Sequence, residues 1–156
     1  MNIQDKIVAE IELCDRHAEH LLWTINEIEK LLPFSAEKLA AVSQEKRAML
    51  DMFMNRFSKL QDTMGAKLFP MVLELTEEPG EYPTFLDKLH RLQKMEAIPE
   101  SFDWRELRKT RNYFSHDYVD EDHINAGILN TAYKQAKTLL DVFQGLKKFV
   151  EKYNGS

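Results

Sequence analysis

Cysteine, glycine and proline are all scarce in this chain of 156 residues: one cysteine, five glycines and five prolines. The single Cys14 excludes an intrachain disulfide. Its place in an apolar stripe reads it as a small buried hydrophobe rather than a reactive thiol. Several of the few glycines and prolines fall between long stretches of helical period, which is an all-α signature. Long hydrophobic runs are missing too. None approaches the roughly 20 residues needed to cross a bilayer, so no membrane association is expected. A surplus of positive charge is also lacking: the net charge is -5, which argues against coating nucleic acid nonspecifically by neutralising many phosphates at once. The amino-terminal "MNIQDKIVAEIELCDRH" shows none of the features of a secretory signal, so a cytoplasmic location is expected.

What is present is helical periodicity over the length of one domain, taken as residues 1–156. Apolar or small residues recur at Ile3, Ile7, Ile11, Cys14, Ala18, Leu21, Ile25, Ile28 and Leu32, in steps of three or four. That spacing predicts a helix over about 3–32. Pro33 breaks it and Ser35 can cap the next one, with Lys38 standing where a capping box would place an acid. A second long helix is expected on the stripe Leu39, Val42, Met49, Phe53, Phe57, Leu60, Met64, Leu68, Met71 and Leu75, kinked near Pro70. "TEEPGEYP" is a turn. A short amphipathic helix stopped by Pro99 should follow, then another through "DWRELRKTRNYFS". Asp120 or Asp122 can cap a last helix with Ile128, Ala132, Leu139, Phe143, Leu146, Val150 and Tyr153 inward. The expected architecture is an antiparallel helical bundle of two long helices, two short helices and a long C-terminal helix. Met52, Phe53, Met54 and Phe57 widen the apolar face of the second helix. This face is either a dimer surface or a thicker monomeric core.

The chemistry is concentrated in "WRELRKTRNYFSHDY". Arg105, Arg108, Lys109 and Arg111 fall within seven residues, a local basic site in an acidic chain. Arg111 and His116 are five apart, about 140° around an uninterrupted helix, and converge only if the helix ends or loosens near Ser115. Brought together, they suit phosphoryl chemistry without a metal. Histidine moves a proton near neutral pH, and guanidinium grips a phosphate with paired donors. The bland alternative is that His116 sits at a helix C-terminus, where a cation is favoured, and Arg111 pairs with an acid such as Asp117.

An all-α chain of this size, with "RNYFSHDY" just before its final long helix, resembles the HEPN superfamily, whose signature is arginine, four to six residues, then histidine. The "RN" start and the tyrosine two positions after the histidine make it similar to the HepT-type toxins. The resemblance implies a metal-independent endoribonuclease with Arg111 and His116 as the catalytic pair and Asn112 orienting the site. Tyr118 would be the tyrosine that a partner nucleotidyltransferase antitoxin modifies with AMP. It also implies a homodimer lining one cleft, RNA as substrate, and no cofactor. Part of the superfamily binds partners or nucleotides without cutting RNA, so a noncatalytic partner-binding subunit is the alternative.

Other residues in this region have simpler readings beside their functional ones. Arg105, Arg108 and Lys109 would guide the RNA backbone, and Tyr113 is either cleft wall, stacking on bases, or core. Phe114 is read as core. His116, Asp117, Asp120, Asp122 and His123 offer metal ligands, but the acids are more economically a helix cap and first turn. His17 and His20, three apart, are read as surface positions. Ser115 lacks the strained elbow of a nucleophilic serine.

Overall fold

A computed structural model describes residues 2–115 and 122–154, and among these no strand occurs. The helices are α1 (Ile3–Ile28), α2 (Ala36–Ala41), α3 (Gln44–Thr63), α4 (Phe69–Leu75), α5 (Phe85–Lys94), α6 (Trp104–Phe114) and α7 (Asp122–Asn154). The all-α bundle expected from periodicity is the fold observed. No described helix is long and apolar enough to cross a membrane.

Local chemistry explains the starts. The Asn2 side chain accepts from the Asp5 N–H at 2.9 Å and opens α1, which ends in a 3-10 turn over Glu29–Leu31. Ser35 caps α2 through the Lys38 N–H. Thr84 and Asp87 form a reciprocal capping box on α5, and Asp103 caps α6 through the Glu106 N–H.

The second long helix is not continuous. It stops at Ala41, because Ser43 accepts from the Lys46 N–H and starts α3 afresh, while Arg47 Nη2 donates to the Leu39 carbonyl left open by the break. After α3 the chain widens into a π-helical segment, Met64–Leu68, before α4. The cause is Pro70, whose ring would collide with the carbonyl four residues earlier in a regular α-helix. Helix α5 likewise ends at Lys94 rather than running to Pro99. Glu96 is in the left-handed region with φ 64°, and the Ala97 N–H returns to the Leu92 carbonyl, closing a C-terminal motif usually made with glycine.

Cross-links give the topology. Along the α1 seam, Lys46, Arg56 and Lys67 meet Glu27, His17 and Glu10 in turn, so α1 runs antiparallel to α3 and the π segment that extends it. Gln61 to Leu107 and Phe57 to Phe114 set α6 antiparallel to α3. Asn130 bonds both backbone groups of Phe34, and Lys147 pairs with Asp15, placing α7 antiparallel to α1. One hydrophobic cluster joins residues from all seven helices, with Phe53, Phe57, Phe69 and Phe143 fully buried.

The core settles several sequence expectations. Cys14 is buried, and burial pushes its thiol up to about 12, with Glu10 and Asp15 adding to the shift. His17 is not a surface residue: it is buried against α3, whereas His20 is exposed. Tyr153 is exposed rather than inward. Of the wide Met/Phe face, Phe53 and Phe57 are core, Met49 and Met54 pack half-buried against it, and only Met52 is exposed.

Candidate functional site: a cationic groove between α3 and α6

Arg105, Arg108, Lys109 and Asn112 of α6, with Ser115 at its C-cap, fall on one face, since Arg105 is three and four residues from Arg108 and Lys109, as Asn112 is from Lys109 and Arg108. That face forms one wall of a groove of about 950 Å³. The opposite side is built by Gln61 and Asp62 of α3, Gly65 and Ala66 of the π segment, and Phe85 and Leu86 at the start of α5, with Trp104 at the floor. A glycine is required at position 65. A Cβ there would lie 2.7 Å from Trp104 Cζ2, so the ring can pack against the backbone only where no side chain intervenes.

Arg111 stands on the last turn of α6, and its side chain is fixed from a distant part of the sequence. Nε donates to Asp62 Oδ1 at 2.9 Å and Nη2 to Oδ2 at 2.7 Å, a bidentate pairing. Arg108 Nη1 also donates to Asp62 Oδ1 at 2.9 Å. Partial burial pushes the Asp62 carboxyl up, but the hydrogen bonds from Arg111 and Arg108, reinforced by their charges, outweigh it and hold the group below the ordinary carboxylate range. Hydrogen bonding to Asp62 in turn raises the Arg111 guanidinium above its usual value, so it stays charged. Lys109 pairs with Glu106 one turn back, at 3.0 Å, on the solvated edge.

Among the described residues, the groove lining thus gathers four cations, Arg105, Arg108, Lys109 and Arg111, against the single carboxylate of Asp62. A basic site exists within an acidic chain, as the sequence indicated. Helix α6 ends near Ser115: Phe114 is its last residue, and the Ser115 backbone and hydroxyl both donate to the Asn112 carbonyl, at 3.2 and 2.7 Å.

Asn112 is exposed on the groove wall, beside Arg111 in sequence. Tyr113 is half-buried and does not line this groove. Phe114 packs edge-on against Phe57 with ring centroids 5.6 Å apart, as the core reading expected. His116, Tyr118, Asp117 and Asp120 lie outside the described residues, and so does the alternative metal-ligand set they would form with Asp122 and His123. The partner of Arg111 that the structure describes is Asp62, not a sequence neighbour.

Asp62, Gln61 and Gly65 were not singled out by the sequence. Asp62 carries no local signal, because its partners are 46 and 49 residues away. Gly65 did offer one: a glycine within a helical stripe calls for a packing reason.

Fold and groove together define an all-α bundle with a cation-lined groove along α6. No family model, curated protein or solved structure gives a significant match to this chain.

Proposed function

We propose that this chain is a metal-independent endoribonuclease of the HEPN type, acting as the toxin of a toxin–antitoxin pair. The observation that carries the reading is the Arg111 guanidinium, clamped by Asp62 in a groove with three further cations, near the point where α6 stops, with His116 two positions further along the sequence. In this reading the groove holds the RNA backbone. Arg105, Arg108 and Lys109 draw the phosphates in, and Arg111 offsets the charge that builds on the phosphoryl oxygens. His116 takes the proton from a 2′-hydroxyl, the resulting oxygen attacks the adjacent phosphorus to give a 2′,3′-cyclic phosphate, and the P–O5′ bond breaks as the proton gained by His116 passes to the leaving 5′-oxygen. Asn112, on the groove wall, supports the phosphate. Tyr118 is the site at which a nucleotidyltransferase antitoxin attaches AMP, and two copies of the chain pair so that both motifs line one cleft.

A second reading has its own support. Asp62 takes two donors of Arg111 and offsets one positive charge, as a purely structural ion pair would. On that reading the chain is a noncatalytic subunit that binds a nucleotidyltransferase partner.

Growth on induced expression separates the two, with wild type compared with Arg111→Ala and His116→Ala at matched protein levels. Arrest by wild type alone, with fragmented cellular RNA, is the expected result. Removing a proton-transfer group or a phosphate-stabilising group lowers such reactions by about 100- to 10,000-fold. Equal behaviour of all three proteins would exclude the nuclease and favour the binding subunit.

A further inference from the structure

We propose that Asp62 is the positioning residue of this groove, holding Arg111 so that the unused end of its guanidinium meets a phosphate oxygen. The inference rests on the phosphate-handling role of Arg111 proposed above. An acid in an anion-binding groove weakens binding by repulsion, so its presence is explained by geometry. The pairing is side-on: Nε and Nη2 of Arg111 occupy the two carboxylate oxygens, which fixes the plane and direction of the guanidinium. Only two of five N–H donors are used in that pairing, and among the described residues none accepts from Nη1.

Arg108 reaches the same Oδ1 at 2.9 Å, so one carboxylate registers two cations on adjoining turns of α6. The neighbouring residue completes the arrangement. Gln61 is fully buried, and its Nε2 donates to the Leu107 carbonyl at 3.2 Å, pinning the α6 backbone to α3 one residue before Arg108. Adjacent residues of α3 therefore fix the backbone and the side chains of α6 separately. With its side chain about a third exposed, Asp62 lies within the groove lining, so it sits beside the phosphate path rather than deep in the core.

The test uses an uncleavable single-stranded 2′-deoxy oligonucleotide, titrated into the full chain and into Asp62→Asn and Asp62→Glu variants. The Arg111 Nε–H resonance, identified by its loss in Arg111→Lys, reports the contact, and the backbone amide spectrum verifies the fold. In wild type this resonance should move on titration. In Asp62→Asn the movement should fall by at least half, while the dissociation constant changes less than about threefold. Cleavage of the matching RNA at saturation should drop at least tenfold, with Asp62→Glu recovering part of the rate. Three results would overturn the proposal: no movement of the wild-type resonance, an Asp62→Asn response equal to wild type, or an Asp62→Asn protein that binds tighter and cuts faster. The last would make Asp62 a competitor of the phosphate. Should wild type cut no RNA yet show an Asp62-dependent response of Arg111, the nuclease reading fails and the positioning role stands.

Discussion

Helix α3 faces two neighbours, and the two seams hold their arginines in opposite ways. Around His17 the α1 interface is closed: His17 is buried, Arg56 Nη1 lies 2.9 Å from its Nδ1, and Arg56 Nε is buried without a hydrogen-bond partner among the described residues. Toward α6, beside the buried Gln61, the interface opens into the groove, where Asp62, Arg108 and Arg111 are charged, paired and reachable by solvent. A partly buried cation beside a neutral ring supports the fold. Two arginines that share one carboxylate at a groove wall retain N–H donors for something else. The difference favours the α6 side of α3 for the proposed chemistry, although both sides carry arginine.

The firmest way to break the comparison is to remove what joins the seams. Phe57 is fully buried, and its ring packs edge-on against Phe114 of α6 and beside Phe53. Phe57→Ala should destabilise the chain by about 3–5 kcal/mol in denaturant unfolding, because the cavity adds to the lost transfer energy. A cost below about 1 kcal/mol would show that α6 is not anchored on α3 by this pair. Next in size is Gly65→Val, which forces Trp104 away from the π segment and should cost roughly 1–3 kcal/mol. Gly145→Ala is its control. That glycine lies on the exposed face of α7 with open space around it, and alanine there should stabilise by about 0.5–1 kcal/mol. Equal effects at both glycines would remove the claim that close backbone approach shapes the groove floor.

How legible these regions were differs for a physical reason. The α1 stripe, the cap at Ser35 and the extent of α6 follow from neighbours within four residues, and each was readable. The end of α2 was hidden because the apolar stripe stays in phase from Leu39 to Met49 across the break, so periodicity ran through it. The end of α5 was hidden because Glu96 takes the left-handed position where glycine would have announced it. At the site, the cations of α6 were visible as a local cluster, but the carboxylate that orders them comes from another helix. His17 misled for the same reason: its partner Arg56 is 39 residues on.

The two seams should also respond to acid in separate windows. Burial lowers the His17 imidazole from its ordinary value of 6.5, and the positive charges of Arg56, Lys59, Arg16 and His20 lower it further. Its unfolded form therefore binds a proton first, and stability falls as pH drops below about 6.5. Asp62 has a lowered carboxyl, so its contribution is complete above its unfolded value near 3.8 and is lost as pH falls below that. Because Asp62 is more than a third exposed, solvent screening limits that contribution to about 1 kcal/mol. Thermal unfolding measured from pH 8 to pH 2.5 checks both. His17→Gln should flatten the decline between pH 6.5 and 5 and leave the acid end unchanged. Asp62→Asn should lower stability at neutral pH by about 1 kcal/mol, with the gap to wild type closing only below pH 4. If either substitution instead flattened the other window, the two seams would be electrostatically coupled through α3, and the separation of a closed structural side from an open chemical side would not hold.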